Sequence, residues 1–302
     1  MNRWRGSFFL VGALVTIPLL SAANGSPTAL DSATVTEIKN QVLFQSADGS
    51  ERAAKVEEIV RGQDVVKTGA SSMAELEFPD GTLTRLGSHS AFTFSPEARE
   101  VQTHNGLSVF FIPKGMGGLR VVSHAVVGAV EGCTVVVEEI DRPAGDQTQH
   151  WTKFLLVEGS RARVWLPDGS DNVALREGQG VFQREGAFRL SPPFDFDVKA
   201  LTQNATIFTT FHRIWPGLDD INAVIEKQFR LLQKGRMVHA SYYWTGRGTQ
   251  QGTTSPQFPV PLLPGMNTPP YNDSGSRGGL LLQEFNDVCG CNQTSPTTAR
   301  NR

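Results

Sequence analysis

The residues best suited to chemistry in this 302-residue sequence are three cysteines, six histidines and a few acidic turns. Cys289-Gly290-Cys291 is the one close cysteine pair. A thiol pair can bind metal or undergo exchange, but such motifs usually have two intervening residues and a second ligand pair. Here one residue intervenes and no histidine is near. A disulfide using Cys289 and Cys291, within or between chains, is chemically allowed in an oxidising compartment, although a three-residue ring is strained. The other reading gives the pair no specific role. Cys133 falls in a strand pattern with Val135 and Val137 and reads as a buried apolar thiol.

His89, His104, His124, His150, His212 and His239 are scattered along the chain. None stands four residues from another with a Glu between, so the zinc-protease helix motif is absent. His89-Ser90 and Ser123-His124 read as strand neighbours that project to opposite faces, which disfavours a Ser–His dyad. No G-x-S-x-G elbow occurs. Asp80 and Asp168 each sit in a Pro-Asp-Gly turn, where the carboxylate is expected to bond its own turn backbone rather than act in a pair. Lys114-Gly115-Met116-Gly117-Gly118 lacks the ending of a phosphate loop and leads into a strand. These residues imply no metal and no cofactor, and the expectation is a protein that is not an enzyme. The most suggestive group is Arg161, Arg163 and Trp165. Residues i, i+2 and i+4 line one strand face, and an Arg–Arg–Trp stripe could grip a carbohydrate or an acidic partner. The competing reading buries Trp165 against a neighbouring strand or the C-terminal segment.

The elements that must position these residues are strands. Ala74, Leu76 and Phe78 alternate with Glu75 and Glu77; Leu107, Val109 and Phe111 continue the pattern. Ala162, Val164 and Leu166 alternate with Arg161, Arg163 and Trp165. Glycines between Gly62 and Gly178 fall between the runs, where positive φ costs little. Phe78-Pro79-Asp80-Gly81 and Leu166-Pro167-Asp168-Gly169 echo one another as strand-ending turns. Such spacing predicts a mainly β fold of stacked short strands, a sandwich or a solenoid-like stack. A formal net charge of −2 gives no electrostatic footprint for nucleic acid.

Several motifs also carry a family resemblance. They are Gly62, Asp64, Thr68 and Gly69; the strand into Asp80-Gly81; Leu86-Gly87 with a short strand after it; and the strand at Gly106. A Gly132-Cys133-Thr134 and a closing Leu175, Gly178 and Gln179 follow. In this order they resemble the FecR domain, the periplasmic β-domain of bacterial surface-signalling regulators. The resemblance covers about 150 residues. Only seven residues precede the first apolar run, too few for the cytoplasmic sigma-binding part of such regulators. The resemblance therefore implies the β-domain alone, engaged in protein contacts, with no catalytic residues to carry over.

The flanks complete the expected organisation. Arg3 and Arg5, an apolar run from Phe8 to Leu20, and Ser21-Ala22-Ala23 read as a secretory signal peptide over residues 1–23. The alternative is a retained anchor, and no later segment is apolar enough to span a bilayer. The FecR-like β-domain is assigned to 34–190 and an extension to 191–240. Thr206 to Phe211 would add a strand or pack under the domain. An amphipathic helix is expected at about 219–234, with Ile221, Val224, Ile225 and Leu232 on one face and Asp219 and Asp220 at its positive end. Residues 241–302 hold 8 Gly and 7 Pro and no Lys, the composition of a disordered tail. The expectation is a periplasmic or secreted, non-enzymatic protein-binding or scaffolding module, with a role in signal sensing. Its partner would be an envelope protein; the alternative is glycan or peptidoglycan binding through the Trp165 face.

Overall fold

The computed structural model describes residues 30–144 and 146–237. The expected signal peptide, the Gly/Pro-rich tail, Cys289 and Cys291 lie outside the described residues, as does His239. The chain is mainly β, as expected, and its strands join in one curled sheet. The first eight strands are β1 (Ser32–Lys39), β2 (Val42–Gln45), β3 (Glu51–Ala53), β4 (Ile59–Arg61), β5 (Val65–Thr68), β6 (Met73–Glu77), β7 (Leu83–Leu86) and β8 (Ala91–Ser95). Then come β9 (Glu100–His104), β10 (Gly106–Ile112), β11 (Leu119–Val122), β12 (Val127–Ala144), β13 (Gln147–Trp165), β14 (Asn172–Leu175), β15 (Gln179–Arg184) and β16 (Phe194–Asp195).

The long antiparallel hairpin β12–β13 is the spine. The first part of β12 pairs with β11 and the second with β10. On the other edge, β13 gives its early residues to β15 and its late residues to β14. Two half-sheets therefore leave the spine. One runs β11-β9-β8-β5-β2-β3 and the other β10-β7-β6-β1-β4. Both half-sheets contribute to one apolar core, where Phe92 of the first meets Phe110 of the second at 6.2 Å between ring centres.

Glycine makes the change of partner feasible. Gly132 has φ +56° and Gly159 has φ +118°, and a Cβ on Gly159 would stand 2.2 Å from the Cβ of Cys133, its register partner. The core-facing residues shift parity there, from Val130 to Cys133, Val135 and Val137. In a regular strand alternate residues share a face; β12 breaks that alternation at Gly132, and just beyond it the register shifts between Thr134 and Val135, leaving Val157 of β13 as the extra residue. Cys133 is fully buried, as expected, and burial pushes its thiol up to about 12.

The outer face of the second half-sheet is apolar too: Leu83, Leu107, Val109, Val136, Leu155 and Val157. The C-terminal extension covers it. After β16 come α1 (Val198–Asn204), α2 (Thr206–Thr209) and α3 (Leu218–Gln233). Val198, Leu201, Ile207, Phe211, Trp215, Ile221 and Val224 pack into this second cluster. The single expected helix is thus joined by two shorter ones, and Thr206 to Phe211 packs under the sheet with a helical turn rather than a strand. Asp197 caps α1 by accepting from the Ala200 N–H at 2.9 Å. On α3 the buried stripe is Ile221, Val224 and Gln228, while Leu232 is only half-buried. Gln228 takes the inner position because its amide bridges the backbone, donating to the Phe196 carbonyl and accepting from the Val198 N–H.

At the centre of this interface lies Arg85 on β7, with a side chain 0% exposed. Its Nε donates to Glu75 of β6 at 2.8 Å. Its Nη atoms donate to the carbonyls of Ile207, Phe208 and Arg213. The guanidinium lies 4.4 Å from the Phe211 ring centre and 4.9 Å from that of Trp215. A buried ion left without its partner is destabilising by about 3–5 kcal/mol. Arg85→Ala should therefore lower unfolding stability by about that much and make residues 205–237 susceptible to protease first. Joint replacement by Arg85→Met and Glu75→Leu should recover part of the loss, as read by urea denaturation with limited proteolysis.

Candidate functional site

On the outer face of the first half-sheet, away from the cluster that α1, α2 and α3 cover, lie Arg163 and Trp165 of β13. On β13, Trp165 stands opposite Val127 and Asn172, Arg163 opposite Ala129 and Ala174, and Arg161 opposite Glu131. β11 adds Arg120 opposite Ala129. The register thus builds a row Arg120–Ala129–Arg163–Ala174 across four strands, with Trp165 in the next row. Arg163 is exposed and its Nη1 donates to Asn172 Oδ1 at 2.9 Å, a neutral partner. Arg120 lies 3.2 Å from Glu100, and its guanidinium stands 5.9 Å from the Trp165 ring centre. Trp165 is half-buried, between the two readings of the sequence. An open trough of about 370 Å³ adjoins this row, lined by Ala129, Glu131, Arg163 and Ala174 together with Ala162 and Leu175.

Arg163 and Trp165 are therefore brought together with a residue that spacing along the chain does not select, Arg120. Its place between buried Leu119 and Val121 marks it as outward-facing. What spacing cannot give is its register against the β13 face. A planar guanidinium with open donors suits a carboxylate, and Arg and Trp are the side chains that concentrate binding energy at interfaces.

The groups that resemble catalytic machinery have structural occupations. Asp80 accepts from the Thr82 N–H at 2.8 Å and meets Arg99 at 2.7 Å; Asp168 accepts from the Ser170 N–H at 2.9 Å. Both carboxylates thus serve their own turns. His89 stands at φ +54° in the turn after β7, and Ser123 and His124 lie between β11 and β12, so neither pair is on a strand. The Ser123 hydroxyl donates to the Val126 carbonyl at 2.7 Å and closes that turn. Three of the scattered histidines do meet: His124 stacks on His150 and touches His104 edge-on. Among the described residues no group of three or more His, Cys, Asp or Glu is arranged to hold a metal ion.

Glu158 on β13 is the carboxyl with the most perturbed chemistry. It is 2% exposed beneath the start of α3, where a Cβ on Gly217 would stand 3.1 Å from its Oε1. Burial pushes its pKa up from 4.5 to about 7; Asp220 and Glu177 push the same way, while Thr134 and Lys114 oppose. A general acid needs such a value, but it also needs to reach a substrate, and α3 covers this one.

Residues 64–160 match the family described as FecR protein. The chain thus carries a FecR domain, running from the last residue before β5 into β13. Arg85, Glu75 and Arg120 lie within the matched segment; Arg163, Trp165 and the extension lie beyond it. No curated protein matches this chain. Two crystal structures of a candidate anti-sigma factor from Parabacteroides distasonis ATCC 8503 are similar, at 14% and 15% identity. Each has a TM-score of 0.38, covering 55% of this chain and 74% or 73% of the other. A likeness of that size leaves function to be argued from the residues.

Glu158 generates a pH prediction. Its folded pKa is raised, so its contribution is fully present below 4.5 and is lost as pH rises through about 7. Over that window the wild-type chain should lose roughly 2–4 kcal/mol relative to Glu158→Gln, which stays neutral. Denaturation midpoints of both proteins between pH 4 and 8 measure this, and parallel profiles would show that Glu158 does not titrate in its buried seat.

Proposed function

We propose that this chain is a non-enzymatic protein-binding or scaffolding module of the cell envelope, with a role in signal sensing. The FecR match carries the reading. The leader-like pattern at Arg3, Arg5 and Phe8 to Leu20 supports export. Asp80, Asp168 and Glu158 are bound into turns or a packed interface, whereas Arg163 and Trp165 present donors and part of an aromatic ring to the surroundings. A second reading is favoured by one observation: a half-exposed indole beside an open trough also suits a glycan, including peptidoglycan, whose sugars stack on aromatic faces.

Photo-crosslinking separates the two. A crosslinker at Ala174 of the full chain, activated in cells that make it, should capture one predominant envelope protein. Joint Arg163→Glu and Trp165→Ala should abolish that adduct while leaving the unfolding midpoint within a few degrees. If no protein is captured but the purified chain is retained on cell-wall glycan and released by the same double change, the second reading replaces the first. Absence of both adduct and retention overturns the trough as a binding site.

A further inference from the structure

The fold draws His104, His124 and His150 into one seam from three different places. His104 ends β9, His124 lies in the turn between β11 and β12, and His150 lies on β13. His124 and His150 stack with ring centres 4.9 Å apart and planes 16° apart. His104 meets His124 edge-on at 6.0 Å. His124 Nδ1 is 3.1 Å from Glu139 Oε2, and His150 Nδ1 is 2.6 Å from Asp141 Oδ1. An ionised carboxylate only accepts, so Nδ1 carries the hydrogen of the neutral His124 ring and its Nε2 is where a further proton adds.

Glu139 is 4% exposed and is fixed by more than His124. It accepts from Thr103 Oγ1 at 3.0 Å, Thr152 Oγ1 at 3.1 Å and the His124 N–H at 3.3 Å. The charge arrangement is therefore uneven. His124 has Glu139, with Glu185 and Asp141 also near, and His150 has Asp141. The ring neighbour of His104 is another imidazole, and Glu139 acts on it only at longer range, too weakly to offset burial and His124. A cleft of about 330 Å³ adjoins the seam, lined by His89, Asn105, Glu138, Glu139 and Asp141. Glu138 is itself paired with Lys153.

We infer that this histidine seam is a proton-set latch, closed by one added proton on His124 and loosened on either side of that state. Loosening frees the end of β9 and the β11–β12 turn from the β12–β13 hairpin and widens the adjoining cleft. The direction of each limb follows from what surrounds each ring. The Glu139 hydrogen bond raises His124 above 6.5 despite partial burial. Its contribution is thus complete below 6.5 and lost as pH rises through its folded value. Burial, then the nearby His124, lowers His104 below 6.5. Its contribution is present above 6.5 and lost as pH falls through its folded value. The two limbs meet around 6.5.

Amide hydrogen exchange on the full chain between pH 5 and 8, corrected for the intrinsic pH dependence, reads the latch directly. Residues 100–104, 121–127 and 148–153 should be best protected near pH 6.5. Protection should fall by roughly tenfold for each unit by which a histidine is shifted. His124→Gln should remove the alkaline limb and His104→Gln the acid limb. Imidazole titration by NMR on the unmodified protein provides a readout independent of whether the variants fold. His124 titrating at or below 6.5, protection in the unmodified chain that does not vary with pH, or both limbs surviving in both variants would overturn the latch.

Discussion

A guanidinium with no access to solvent constrains everything around it. Arg85 sits on a strand whose two faces are both packed, and a buried charge is tolerated only when its donors are satisfied. One donor is met by Glu75 on the adjacent strand; others go to the Ile207, Phe208 and Arg213 carbonyls. The C-terminal extension is therefore part of the environment that lets the sheet hold this residue. Trp215 strengthens the arrangement, because its ring faces Arg85 while its N–H donates to Thr134 Oγ1 on the spine at 3.0 Å. Residues inside the FecR segment and residues beyond it are thereby joined through one side chain.

The spine distributes the two outer faces. At Gly132, opposite the Gly159 region, β12 changes which residues it turns toward the core, and its two parts serve different half-sheets. One outer face is apolar and is covered by α1, α2 and α3. The other carries Arg120, Ala129, Arg163 and Ala174 and has none of these helices across it. Cover and trough belong to different halves of the same sheet, so α1, α2 and α3 stabilise the domain without packing on the row that holds Arg163.

Much of this fold is legible in the sequence because strand patterning is local. Alternation identifies the outward positions of Arg163 and Trp165, and the Pro-Asp-Gly turns form with the carboxylate-to-backbone bonds their chemistry predicts. The helical period of α3 is likewise visible, apart from Gln228, whose buried place depends on backbone groups at residues 196 and 198. Tertiary register is what the sequence withholds. Arg120 joins Trp165 only because β11 and β13 flank β12, and His104, His124 and His150 meet only when three strand ends converge. Arg85 is the clearest case: nothing in Leu83-Thr84-Arg85-Leu86 announces a buried charge, and the element that covers it lies more than a hundred residues later.

That distance gives the Arg85 contacts a place in time. Its carbonyl partners lie 122, 123 and 128 residues further along the chain. Contacts of such separation form late, because the intervening chain must be ordered first. Domains emerge amino-terminus first during synthesis, so Leu83, Leu107 and Val109 exist as a bare apolar surface until the extension arrives. Docking of the extension is then the closing event of folding, and a chain cut short before Arg213 would remain adhesive however well its strands had paired.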